Sequence, residues 1–159
     1  MQIYYTQIPS PVGEFLIAGT TNAVCRTAFH TKNWSHYIED SWQKEAAPLG
    51  YAIEQFQDYF AGQLVEFTLA HELSGTEFQL SVWEALKQVG YGTTVSYGDI
   101  ARAIDKPGAQ QAVGAANGAN PLPILVPCHR IIGTDGSMTG FGGGIEIKQK
   151  LLHLEGVTT

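Results

Sequence analysis

SYGDIARAIDKPGAQQAVGAANGA, residues 96–119, decides the architecture of the second half of this chain. Ser96 followed three residues later by Asp99 is a weaker form of the capping box, so a helix starts at SYGDIARAI. KPGA then makes a sharp turn, and AQQAVGAANGA resumes as a short helix of small residues. Two short helices on a glycine-containing turn outline a helix-turn-helix, although an ordinary helical hairpin packed on a core has the same outline. Gly114 and Gly118 inside the second helix imply that something approaches its backbone closely.

Upstream, TEFQLSVWEALKQVG (76–90) reads as an amphipathic helix. Thr76 suits the N-cap, Phe78, Val82, Trp83, Leu86 and Val89 share one face, and Gly90 is expected to end it. ELSGT (72–76) marks a boundary, which divides the chain into residues 1–72 and 73–159. The first thirty residues predict a β-meander of QIYYTQI, EFLIAGT and AVCRTAF, joined by PSPVG and a Thr-Asn turn. GYAIEQFQDYF (50–60) places Ile53, Phe56, Tyr59 and Phe60 at helical spacing, and the helix should end near Gly62. A last helix, IEIKQKLLHLEG, should stop at Gly156. Strands followed by helices predict an α/β lobe and then a mainly helical one.

The composition is globular, with 44% hydrophobic and 15% charged residues, and no apolar run reaches the roughly 20 residues of a membrane span. MQIYYTQIPS lacks the basic and apolar regions of a signal peptide, which points to the cytoplasm, where Cys25 and Cys128 would stay reduced. The net charge of −6 is unevenly spread: residues 1–75 carry −5 and residues 76–159 only −1. A strongly basic nucleic-acid binder is excluded, but the second half can still turn a modestly positive face to phosphates.

The two cysteines differ in setting. Cys25 lies in an alternating strand and reads as a small hydrophobe. Cys128 lies in NPLPILVPCHRIIG (120–133), bounded by prolines and followed directly by His129. A thiolate is the nucleophilic form of cysteine, and forming it near neutral pH takes a base or a positive environment. Adjacent side chains rarely point at each other, so a water between Cys128 and His129 is the natural bridge. A carboxylate would orient the other imidazole nitrogen, with Glu155 as a candidate. No metal is expected: Cys25 and His30 have no second close pair of soft ligands, and His36, His71 and His153 are isolated.

NPLPILVPCHRIIG, with GSMTGFGGGIEIKQKLLHLEG after it, closely resembles the active-site region of the O6-alkylguanine-DNA alkyltransferases. SPVGEFLIAG and VSYGDIA extend the resemblance over nearly the whole chain, which is most similar to the bacterial constitutive type. The resemblance implies a ribonuclease-H-like α/β N-terminal lobe and a winged-helix-like C-terminal lobe carrying the helix-turn-helix. It implies a monomer that binds the minor groove of double-stranded DNA, rotates O6-alkylguanine out of the stack and takes the alkyl group irreversibly onto Cys128, without a cofactor. In that scheme His129 is the water-mediated base and Glu155 orients it. Asn120 braces the turn before the cysteine, and Tyr97 hydrogen-bonds the extruded base. Ile131 and Gly142 offer backbone groups to the guanine edge, and Phe141 walls the pocket. Gln110, Gln111, Gly114, Gly118 and Thr134 would face DNA.

Gln111 stands where the family usually carries an arginine that enters the vacated stack. Glutamine lacks the charge and the longer reach, so weaker DNA binding and slower repair are expected. Leu154 replaces a histidine often found before Glu-Gly, and Thr20 and Cys25 do not make the zinc site of some relatives. Two rival readings are a damage sensor of the same shape and a cysteine hydrolase. The sensors lack the cysteine, and a hydrolase needs an oxyanion hole that nothing in the sequence announces.

Overall fold

In the computed structural model, which describes residues 1–31, 33–138, 141 and 143–157, the chain forms two units, Met1–Leu73 and Ser74–Thr159. The first is built on the expected meander: β1 (Tyr4–Ile8), β2 (Phe15–Gly19) and β3 (Ala23–Phe29) pair antiparallel in chain order. Gly19 is needed where β2 turns into β3, because a Cβ there would meet the carbonyl oxygen of Ala23 at 2.4 Å. The sequence did not announce β4 (Gln43–Lys44) and β5 (Ala70–His71), which add parallel to the two edges in the order β4-β1-β2-β3-β5. Two-residue strands carry too little alternation to be read.

A 3-10 turn at Ala47–Leu49 leads into α1 (Gly50–Phe60), whose buried residues are Ala52, Phe56, Tyr59 and Phe60. Ile53, expected on the inner face, is only half-buried, because the helix settles on the row through Ala52 and Phe56. Phe15 of β2 meets Phe56 and Phe60 of α1 at centroid distances of 5.2 and 5.4 Å in tilted and edge-on geometries. All of β2 is buried, so it reads as continuously apolar instead of alternating.

In the second unit α2 (Glu77–Lys87) opens on the expected Thr76 cap, completed into a full capping box by Gln79. It ends at Lys87, three residues before Gly90, and its last turn tightens through hydrogen bonds of Gln88 and Val89. A two-residue strand β6 (Val95–Ser96) runs into α3 (Tyr97–Ala103), where Ser96 and Asp99 form the expected box. α4 (Gln110–Gly118) follows the turn, which Lys106 closes by donating its N–H to the carbonyl of Ala101. α2 packs against both, and Trp83 on α2 donates its indole N–H to the carbonyl of Ala116 at 2.9 Å. This is a helix-turn-helix with its own buried support.

The chain then passes through residues 119–127 into a 3-10 turn, Cys128–Arg130, and a strand β7 (Ile131–Ile132) that pairs parallel with β6. α5 (Ile145–Leu154) closes the unit. It stops as expected at Gly156, which adopts φ +87°; Gly156 N–H bonds the carbonyl of His153 and Val157 N–H that of Leu152. This is a Schellman ending, and it fixes Glu155 as the C-cap residue.

Candidate active site

Local structure brings three sets of residues together. The first is the Cys128–Arg130 turn, preceded by a loop that Asn120 braces from both sides. The Asn120 amide donates to the Val126 carbonyl at 2.8 Å and accepts from Leu122 N–H at 2.9 Å. Within that loop Ile124 is held at φ +79°, a strained conformation for a β-branched residue. The second set comes from α5, whose inner face carries Lys148, Leu151 and Leu152 as well as the capping Glu155. The third is Tyr97 at the start of α3, half-buried, delivered beside the turn by the register Val95↔Ile131 and Ser96↔Ile132.

Glu155 organises the polar half of the site and is buried with 5% exposure. One carboxylate oxygen accepts from His129 Nε2 at 2.7 Å and from an Arg130 terminal nitrogen at 3.0 Å. The other accepts from Arg130 Nε at 2.8 Å. Arg130 spends another N–H on the Val89 carbonyl at 2.7 Å. Sequence reasoning placed Glu155 on His129 but gave Arg130 no part. Yet the two-pronged guanidinium pair is what allows a carboxylate to be buried there.

The imidazole tautomer follows from these partners. Both Glu155 oxygens accept, so Nε2 carries the hydrogen and Nδ1 is left as the basic nitrogen. Nδ1 is buried and has no hydrogen-bond partner among the described residues. Burial lowers the His129 pKa against the opposing pull of Glu155, which keeps the ring neutral at pH 7.

Cys128 is a free thiol with 5% exposure. Burial pushes its pKa up to about 11, opposed by the Asn120 amide, the Lys148 cation and the backbone N–H groups of residues 128 and 129. At rest the sulfur is therefore a protonated, unreactive thiol surrounded by groups that favour its anion. Lys148, which sequence reasoning passed over, is fully buried. Burial brings its pKa down to about 8, and the nearby cysteine opposes that shift, so the ammonium is still mostly charged at neutral pH.

The remaining residues singled out from sequence divide as follows. The ring of Tyr97 lies against α4 at Gly114, where an added Cβ would sit 3.6 Å from Tyr97 Cε1. Gly118 is exposed at the end of α4, and an added Cβ there meets nothing of the chain within 4 Å, which leaves its backbone open to solvent. Ile131 is buried in β7, and Phe141 is half-buried, its carbonyl taking the N–H of Gly144. Gln110, Gln111 and Thr134 are exposed, the first two on α4 and the third in the turn after β7. Gly142 lies outside the described residues. Asn117 was not singled out, yet it is buried on α4 and its amide donates to the Cys128 carbonyl at 3.4 Å. No group of three or more metal-binding side chains occurs among the described residues.

An unprotonated imidazole nitrogen in the residue following a shielded thiol is suited to take the thiol proton as sulfur attacks an electrophile. On this lobe it accompanies a helix-turn-helix, so the fold and site define a cysteine-nucleophile class of protein with a nucleic-acid-binding motif. Two family models divide the chain between them. The 6-O-methylguanine DNA methyltransferase ribonuclease-like domain matches residues 3–73, and the DNA-binding domain of the same family matches residues 77–157. A methylated-DNA–protein-cysteine methyltransferase of Methanosarcina acetivorans is 44% identical over 97% of this chain and 99% of its own. The constitutive enzyme of Bacillus subtilis is 41% identical over 98% and 96%. The crystal structure of Mycobacterium tuberculosis OGT in complex with DNA superposes with a TM-score of 0.89 at 43% identity, covering 96% of this chain and 92% of that one. The chain belongs to the methylated-DNA–protein-cysteine methyltransferase family.

Proposed function

We propose that the protein repairs double-stranded DNA by moving the alkyl group of O6-alkylguanine onto Cys128, once per molecule. The observation that carries this reading is the relay of Arg130, Glu155 and His129, which leaves a buried basic nitrogen in the residue next to a buried thiol. The relative crystallised with DNA supports DNA as the partner.

The chemistry follows from the groups present. The Cys128 proton passes to His129 Nδ1, through a water where the two do not touch, and Glu155 stabilises the imidazolium that forms. Lys148 and the Asn120 amide hold the developing thiolate. Sulfur then attacks the alkyl carbon, an S–C bond forms, and the C–O6 bond breaks with its electron pair returning to the guanine ring. Tyr97 donates its phenolic proton at N3, so guanine leaves neutral, and the imidazolium proton restores the phenol. The product is a thioether, which water does not cleave, so the protein is spent.

Reaching a sulfur this buried requires the base to leave the helix. Extrusion costs a few kcal/mol, offset by a closed pocket and by contacts in the minor groove. Phe141 and the backbone of Ile131 line that pocket. Gln110, Gln111, Gly114, Gly118 and Thr134 meet the DNA, and Gln111 fills the gap left in the stack. The protein acts as a monomer in the cytoplasm, on residues 1–72 as the α/β lobe and 73–159 as the DNA-binding and acceptor lobe.

Titration with duplex DNA carrying one O6-methylguanine tests the reading. Methyl removal should stop at one per protein molecule and should vanish in Cys128→Ser. Repeated turnover by a fixed amount of protein would contradict it.

A further inference from the structure

The turn that follows α2 grips Glu155 and Arg130 from several sides. Thr93 donates both its N–H and its hydroxyl to the Gly90 carbonyl, at 3.1 and 2.6 Å. Gly92, in the third position of this turn, adopts φ +77°, the geometry of a type II turn, which needs glycine there. The N–H of Gly92 donates to one Glu155 carboxylate oxygen at 3.3 Å. It joins the three N–H groups of His129 and Arg130 on a carboxylate that offers about four acceptor sites.

The neighbouring residues hold the backbone around Glu155. Tyr91 donates its hydroxyl to the Leu154 carbonyl at 3.3 Å, one of the closing carbonyls that α5 itself leaves without a donor. Its ring centroid lies 5.8 Å from the Arg130 guanidinium carbon, within reach of a cation–π contact. Burial and then the Glu155 charge push the Tyr91 pKa up, against the pull of Arg130, so the phenol lies in the field of that ion pair. Gly92 also abuts the backbone: a Cβ there would stand 3.1 Å from the Glu155 carbonyl oxygen. Val89, just before the turn, supplies the carbonyl that holds Arg130. Glu155 is thus held at its carboxylate, at the peptide before it and at the peptide after it.

We infer that Gly92 and Tyr91 are positioning residues for the reaction: their turn clamps Glu155 against His129 and so keeps the imidazole in the Nε2–H tautomer that accepts the thiol proton at Nδ1. This rests on the proposed alkyl transfer and adds to it the element that fixes the relay from outside α5 and the Cys128 turn. A carboxylate that shifts releases Nε2, and an imidazole with its hydrogen on Nδ1 presents no basic nitrogen to the thiol.

Nitrogen NMR of the histidine rings reads the tautomer, and O6-benzylguanine reads the rate at which Cys128 is alkylated. The parent protein should show His129 in the Nε2–H form alone. Gly92→Ala strains the turn and presses its Cβ on the Glu155 carbonyl. It should slow alkylation at least about fivefold, as for loss of a hydrogen bond to a charged group, and bring in the Nδ1–H form of His129. Gly62→Ala imposes the same backbone strain, at φ +76° with nothing within 4 Å of the new Cβ, and should change neither. If Gly92→Ala fails to fold, Tyr91→Leu is read by the same two outcomes. A variant that keeps the parent rate or the Nε2–H form alone, or an equal effect of Gly62→Ala, would overturn the inference. If O6-benzylguanine leaves the parent unalkylated, the underlying reading falls, and the tautomer comparison still decides the inference.

Discussion

Alkyl transfer to Cys128, as proposed, sets two needs against each other: the thiol must stay inert until a base arrives and must then ionise in a buried site. Burial meets the first by raising its pKa to about 11, and the neighbouring Asn120 and Lys148 meet the second. Lys148 therefore serves the proposed reaction's rate and not stability. Lys148→Met removes a buried charge whose pKa burial has already lowered, so it should slow alkylation by O6-benzylguanine at least about tenfold without lowering the Tm. A variant that lost stability and rate together would refute that division. His129 gives a pH prediction with a definite sign. Its folded pKa is depressed below the ordinary 6.5, so the folded chain resists a proton that the unfolded chain accepts. Its contribution to stability is complete above about 6.5 and is lost as pH falls through the folded value. The alkylation rate should accordingly rise up to about twofold from pH 8 to 7 as Lys148, with its pKa of about 8, gains its charge, stay level to about 6.5 and fall below that, a profile that single-turnover kinetics would measure.

The motif around Cys128 and His129 was legible because its residue types are unusual for their setting. Lys148 and Arg130 were not, because a cation in IEIKQK or PCHR reads as a solvated side chain. Only the packing of α5 against the turn reveals that both are buried. Asn117 was hidden in the same way among the small residues of α4.

Among the elements, α5 does the most positioning, since Glu155 is held where the helix ends and not within it. The Schellman ending depends on Gly156 at φ +87°, a conformation that costs any residue with a Cβ. Gly156→Ala should cost about 1 kcal/mol of stability and should also slow alkylation, because Glu155 moves with the cap. Equal rates in the two proteins would show that the relay does not depend on the cap. The helix ends were readable from Thr76, Ser96, Asp99 and Gly156, residues whose local chemistry fixes a terminus. The edge strands β4 and β5 were not, because pairing over two residues is set by the neighbouring strand and not by their own sequence.

For the molecule as a whole, charge limits how it can hold DNA. Four of the six cations in residues 76–159 are in ion pairs: Lys87 with Glu84, Arg102 with Asp99, Arg130 with Glu155, and Lys150 with Glu146. Lys148 is buried, and Gln111 brings no charge to α4. Few phosphates can be neutralised, so log K for duplex DNA should fall with log salt at a shallow slope, between about −1 and −3. Gln111→Arg should tighten binding and raise the second-order repair rate on duplex DNA. No gain in either would leave Gln111 a surface residue without a part in the complex. The two-lobed α/β architecture was legible as the change from strand periodicity to helix periodicity near residues 72–76.

All of these expectations depend on where the alkyl group ends up. Intact mass of the protein before and after O6-benzylguanine, followed by peptide mapping, locates it directly. The account predicts one benzyl group per chain, on Cys128 alone, and none in Cys128→Ser. A benzyl group on Cys25 or any other residue, or a protein that sheds the group and reacts again, would contradict it.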